Sequence, residues 1–257
     1  MQSSIQLELT PSTQYLLRVG DTCLILAQRL GEWCGHAPVL EEDIAMANIA
    51  LDLVGQARAL LTRAGEIEGR QHDEDQLAFL RNERDYFNLT MVELPRGDFA
   101  FSVLRNTMVS TWLKLLWERL ADSGDAELAA IAGKAVKEAR YHQQHSGDWV
   151  VRLGDGTAES RRRMEVALDD LWRFVPELFD TDAADVAAHA EGTGPLWSDL
   201  QAPWQAEMAL ILGEAALAVP KASAFRSDGK HGRHTEHMGF ILSNMQYLQR
   251  TFPGGVW

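Results

Sequence analysis

The sequence predicts an all-α protein built as an up-and-down helical bundle. Alanine and leucine dominate it while glycine and proline are modest, a mix that favours helix. Apolar residues recur three and four positions apart along most of the chain, and period-two alternation is nearly absent. Connections between the periodic stretches are short, which makes consecutive helices antiparallel neighbours.

The first helix is expected over about Ser12–Leu30, carrying Leu16, Cys23, Leu24, Ala27 and Leu30, with a turn over Gly31–Ala37. Pro38 suits the first position of a second helix, where its missing N–H costs nothing. Glu41, Glu42 and Asp43 then sit where the helix dipole favours negative charge. That helix runs to about Ala64 and is apolar round most of its circumference between Ile44 and Val54, the pattern of a central bundle helix. A third helix is read over Asp73–Glu93, ended by Pro95 and Gly97. A fourth covers Asp98–Ala121, and a fifth runs from a cap at Asp125 to Leu153. A sixth runs from Thr157 to Phe179 with a kink at Pro176. Thr181–Trp197 reads as a loop with a helical turn, Pro203–Ala218 as a seventh helix, Pro220–Gly232 as a loop and Thr235–Thr251 as the last helix. No boundary divides residues 1–257: a core bundle over about 12–179 is followed by a C-terminal loop and helices over about 180–257.

The chain has 257 residues, enough for a sizeable core. Its 24 basic and 37 acidic residues give a net charge of −13, which argues against nucleic-acid binding and against docking on an anionic membrane. Two cysteines, Cys23 and Cys34, cannot build a disulfide framework, and no Cys-x-x-Cys pair suggests a thiolate metal site. The N-terminus lacks a signal-peptide pattern and no apolar stretch reads as a membrane span, so the expectation is a soluble, cytoplasmic protein.

A helical bundle can hold a di-iron centre when two helices each give a carboxylate and two others each give Glu-x-x-His. Residues three apart share a helix face, so one such motif brings a carboxylate and an imidazole to the same ion. Here the pattern mostly fails. The second helix carries Asp52-Leu53-Val54-Gly55-Gln56, with Leu53 and Gln56 where Glu and His are needed. The fifth carries Glu138-Ala139-Arg140-Tyr141-His142, with Ala139 three residues before His142. The first helix has no carboxylate between Leu24 and Leu26, and the fourth offers Ser110 and Thr111. His142 and Asp52 read as polar contacts of the core, since a buried carboxylate must be paired or protonated.

Several long stretches carry a resemblance. They include Gly31-Glu32-Trp33-Cys34-Gly35-His36-Ala37-Pro38, Asn48-Ile49-Ala50-Leu51-Asp52-Leu53-Val54-Gly55-Gln56-Ala57-Arg58 and Lys137-Glu138-Ala139-Arg140-Tyr141-His142. Leu171-Trp172-Arg173-Phe174 and His234-Thr235-Glu236-His237 extend it over nearly the whole chain. The sequence resembles the PaaC-type subunits of the bacterial phenylacetyl-CoA ring epoxidase. The resemblance implies a ferritin-like fold and a complex in which a homologous catalytic subunit holds the di-iron centre and a separate reductase supplies electrons. PaaC-type chains are the structural partner, so it implies no catalytic residue, no metal and no cofactor in this chain. The catalytic homologue's ligand positions fall on Leu26, Leu53, Gln56, Ser110, Ala139 and His142, with Asp52 and Glu138 preceding the two motif positions. On this reading Leu26, Leu53 and Ala139 fill the ligand space with apolar volume, and Asp52, Gln56, Ser110 and His142 complete a metal-free polar network.

The alternative is an independent ferritin-like metal-dependent oxidoreductase with an atypical site of Asp52, Glu138, His142 and His145. A third reading is an assembly protein of the same pathway. Self-association, as a homodimer, is expected of the chain alone.

Arg161-Arg162-Arg163 reads as a solvated helical face or as a contact for acidic groups. Pro220–Met238 is the most basic stretch of the chain, a candidate anion or partner loop through Lys230, Arg233, His234 and His237, or a subunit-docking loop. Zinc binding by His234 and His237 lacks supporting acids or cysteines. Trp112, Trp117, Trp149 and Trp172 read as core, while Trp33, Trp197, Trp204 and Trp257 lie in turns or near the termini, where some are expected at a subunit interface.

Overall fold

The computed structural model describes residues 3–255. Among them the α-helices are α1 (Pro11–Gly31), α2 (Leu40–Glu68), α3 (Glu74–Phe79), α4 (Thr90–Glu93), α5 (Phe99–Leu120), α6 (Ala126–Gly154), α7 (Ala158–Trp172), α8 (Ala183–Ala190), α9 (Gln201–Glu214) and α10 (Glu236–Thr251). The long helices α1, α2, α5 and α6 form the bundle: α1 packs along α2, α5 along α6, and α2 meets α6. Around this core, α7 and α9 pack on α5 and α6, α8 on α1, and α10 on α3 and α4.

The expected helix starts are built by side-chain caps. Thr10 accepts from the N–H of Thr13, with Pro11 in the first turn of α1. Asp98 accepts from Phe101, Asp125 from Glu127 and Leu128, and Thr157 from Ser160. The sixth expected helix gives way to a 3-10 turn over Val175–Phe179, where Pro176 breaks the ladder.

Several expectations are corrected. Pro38 lies outside α2, whose cap position is the extended Val39. The continuous helix over Asp73–Glu93 is broken into α3, a 3-10 turn at Glu83–Asp85 and α4. The reason is tertiary: the N–H of Phe87 donates to Asp21 Oδ2 at 2.9 Å and that of Leu89 to Thr22 Oγ1 at 3.2 Å, both on α1. The seventh helix closes at Glu214 instead of Ala218. Ala216 turns left-handed (φ 53°), and the N–H of Leu217 reaches back to the Leu212 carbonyl at 2.9 Å in a Schellman-type end. Trp33, Trp197 and Trp204 are buried in the core, while Trp257 lies outside the described residues.

The second helix is corrected in its place in the bundle. Its inner face, including Met46, Ile49, Leu53, Gln56 and Leu60, is buried. Its other face is exposed: Leu40 is 70% and Leu51 67% exposed, and Ile44 and Val54 also lie open. α2 is therefore a flank of the bundle with two apolar faces, only one of them covered. It is also long and apolar enough to cross a membrane by length and composition, contrary to the expectation that no stretch would be. Its buried face packs on α1 and α6.

Candidate functional site

The positions expected from the resemblance to match di-iron ligands are spread over the four bundle helices. Leu26 on α1, Leu53 on α2 and Ala139 on α6 are fully buried and offer no donor atom. His142 is buried, and its Nε2 lies 3.0 Å from Asp52 Oδ2 on α2. Asp52 can only accept when ionised, so Nε2 carries the hydrogen. Burial lowers the His142 pKa below the ordinary histidine value, against the raising effect of Asp52. The ring is thus neutral at pH 7, a hydrogen-bonded tautomer in place of an ion pair.

The other polar groups form separate sets. Gln56 Nε2 donates to Glu138 Oε2 at 2.9 Å, and its Oε1 faces the buried Cys23 Sγ at 3.6 Å. Burial pushes the Cys23 thiol far above its ordinary range, leaving it neutral. Lys134 stands 3.5 Å from the other Glu138 oxygen. Ser110, also buried, donates to Asn106 Oδ1 on its own helix at 3.3 Å. His145 pairs instead with Glu42 at 3.1 Å. The network expected of Asp52, Gln56, Ser110 and His142 is thereby corrected: α2–α6 pairs carry three of these residues, and Ser110 turns along α5.

This donor set does not fit a di-iron centre. Three of the six ligand positions hold aliphatic side chains, and Gln56 and Ser110 are neutral where balancing charge is needed. Among the described residues, no three His, Cys, Asp or Glu side chains converge as metal ligands. The set proposed for an atypical site is split as well, because Asp52–His142 and Glu42–His145 are separate pairs.

The C-terminal loop is an internal clamp. Lys230 is buried, with Nζ 2.9 Å from Asp185 Oδ2 and over the Trp197 ring at 4.4 Å. Asp185 also takes Arg18 Nη1 of α1 at 2.9 Å, and Asp182 joins the same guanidinium. His231 bridges Asp182 and Asp228, and the exposed Arg233 pairs with Asp228 at 3.3 Å. Gly229 sits against the Asn88–Thr90 backbone, where a Cβ would lie 2.4 Å from the Asn88 carbonyl oxygen. No larger residue allows that approach. Glu177 accepts from Thr90 N–H at 3.0 Å, Ser227 Oγ at 2.6 Å and Lys230 N–H at 3.2 Å. Burial raises its pKa despite these donors. Lys230 and His234 are therefore committed inside the chain and offer no anion site; among the four loop candidates, Arg233 is exposed and His237 is half-buried. Arg162 and Arg163 pair with Glu159, as a solvated helical face would.

His234 is held by two acceptors: Nδ1 lies 2.7 Å from Glu93 Oε2 and Nε2 2.9 Å from the Tyr86 carbonyl oxygen. Both nitrogens must then carry hydrogen, so the ring is an imidazolium. Burial opposes that charge, but the Glu93 carboxylate outweighs burial and the pKa is raised. A raised histidine contributes its full stabilisation below the unfolded value of about 6.5 and loses it as pH climbs through the higher folded value. The stability difference between the native chain and His234→Gln is expected to be largest at pH 6 and to shrink by pH 9 in urea titrations. A difference that stays constant with pH would refute the charged ring.

Sequence reasoning missed the open face of α2 and the clamp partners Arg18, Asp182, Asp185 and Glu177. The two-sided hydrophobicity of α2 was the available signal for the first. The clamp joins segments more than 160 residues apart, which no local pattern reveals.

Comparison with known proteins gives the chain a family. The family model described as phenylacetic acid catabolic protein matches residues 2–257. The chain is 52% identical over 245 residues to the C component of the 1,2-phenylacetyl-CoA epoxidase of Escherichia coli (strain K12), covering 95% of this chain and 98% of that protein.

Proposed function

Because the chain belongs to the phenylacetic acid catabolic protein family, we propose that it is the non-catalytic structural subunit of a multicomponent phenylacetyl-CoA epoxidase in aerobic phenylacetate breakdown. The observation that carries this reading is the aliphatic filling of the ligand positions by Leu26, Leu53 and Ala139. A bundle so filled supports a neighbour without performing oxygen chemistry. The di-iron centre belongs to a homologous catalytic subunit, and a reductase component supplies electrons to it. The complex works in the cytoplasm, and the chain alone self-associates.

The docking face for the catalytic subunit is the open side of α2, with Leu40, Ile44, Leu51 and Val54, continued by the exposed Tyr141 of α6. A row of exposed apolar side chains along one helix of an acidic chain marks a protein interface. A homologous bundle presents a helix of matching length to it. Co-expression tests the assignment. The chain is expected to co-purify with the di-iron subunit in fixed stoichiometry through size exclusion, with epoxidation of phenylacetyl-CoA requiring both. Full activity of the di-iron subunit alone would refute the supporting role, and transient, substoichiometric association would favour an assembly factor.

A further inference from the structure

Gly55 stands in the middle of α2 for no reason internal to this chain. Glycine weakens a helix interior relative to alanine. Gly55 lies within the continuous helix Leu40–Glu68, and a Cβ built on it would meet no atom within 4 Å. A larger residue would therefore fit the isolated chain and strengthen the helix. What a bare backbone permits here is the close approach of another chain.

The exposed side of α2 says what approaches. Ile44, Asn48, Leu51, Gly55, Arg58 and Thr62 all lie open to solvent. They follow one another four and three residues apart in alternation, the spacing of a seam that receives a second helix lengthwise. From Ile44 to Thr62 the seam runs about 27 Å, at 1.5 Å per residue. Beside Gly55 it widens into a hollow of about 270 Å³, floored by Gly55 and Ala59 and bounded by Ile131 of α6.

The two ends of the seam differ in charge. Glu41 is exposed at the start of α2. The Arg58 side chain is 73% exposed, and among the described residues its guanidinium is engaged through Nε alone, by Glu74 at 3.0 Å. A complementary helix carries cations opposite Glu41 and anions opposite Arg58. Helices favour anions at their N-terminus and cations at their C-terminus. That order is met by a helix lying antiparallel to α2.

We propose that one helix of the di-iron subunit lies antiparallel along α2, passes closest at Gly55 and sets a bulky apolar side chain in the hollow beside it. This rests on the docking face proposed above and adds its direction and its point of closest approach.

Two measurements test it. Gly55→Ala is expected to raise the melting temperature of the isolated chain by about 1–3 °C, and Gly55→Leu to leave its circular dichroism spectrum unchanged. Both are expected to weaken association with the di-iron subunit, by about tenfold and at least about 100-fold respectively. Unchanged association with Gly55→Leu, alongside weakening by Leu51→Glu, would overturn this inference and leave the docking face standing. Unchanged association with both variants would overturn the docking face as well. The second measurement reads direction. A photo-cross-linking benzoylphenylalanine in place of Ile44, and separately of Thr62, is expected to label one helix of the di-iron subunit. The site reached from position 44 should lie about 18 residues nearer that helix's C-terminus. Labels in the reverse order, or on different helices, would overturn the antiparallel arrangement.

Discussion

Replacing Asp21 by alanine is expected to lower the unfolding free energy by about 3–5 kcal/mol, the cost of stranding a buried charge. Asp21 and Arg81 are both fully buried and form a bidentate pair between α1 and the segment after α3. Asp21 Oδ2 also takes the N–H of Phe87, which holds the broken third helix in its extended path. Arg81 in turn donates to the carbonyl oxygens of Leu77 and Asp85 and lies over the Tyr86 ring at 4.1 Å. Alanine at position 21 leaves the guanidinium buried and half-satisfied, with a backbone N–H orphaned beside it. For a chain of this size the melting temperature should fall on the order of 10 °C. The double change Asp21→Leu/Arg81→Met should recover much of the loss, because removing both charges removes the stranded one. A single-variant loss below about 1 kcal/mol in denaturant titration would show that the pair is not a structural tie.

Leu51→Glu should weaken association with the di-iron subunit at least about 100-fold while leaving the isolated chain's stability nearly unchanged. Leu51 lies mid-way along the open side of α2 with its side chain in solvent, so a carboxylate there costs the monomer little. In the complex it would be desolvated at the centre of an apolar contact, where single residues carry more than 2 kcal/mol. Leu210→Glu on α9 is the control, because Leu210 is as exposed but lies on a different helix. Titration calorimetry or interferometry on the two variants separates them. Equal weakening by both, or by neither, would place the interface elsewhere.

Much of this molecule was legible in the sequence. Helix starts at Ser12, Asp98, Asp125 and Thr157 fall within a residue or two of the caps, because capping is local chemistry. Leu53 and Ala139 offer no donor atom in any fold, and that much is read from the sequence directly. The break over Phe79–Thr90 was not legible there, because Asp21 and Thr22, more than 60 residues earlier, capture its backbone N–H groups. Periodicity registered that α2 is apolar on two sides. It could not distinguish a helix covered on both sides from one covered on one side and left open for a partner. The polar residues expected to share one network form separate pairs instead, because their pairing depended on which helix each side chain faced. Ser110 turned to Asn106 along its own helix, and His145 found Glu42.

The proposed role is that of a bundle that supports a catalytic neighbour and holds no di-iron centre of its own. Metal analysis tests that claim most directly: the purified chain is loaded anaerobically with ferrous iron, desalted and measured for iron and protein. The account predicts no more than trace iron, with the same treatment filling the homologous catalytic subunit to about two irons per chain. Close to two irons per chain in this protein would contradict it and would require an assay of the chain as an oxygenase in its own right.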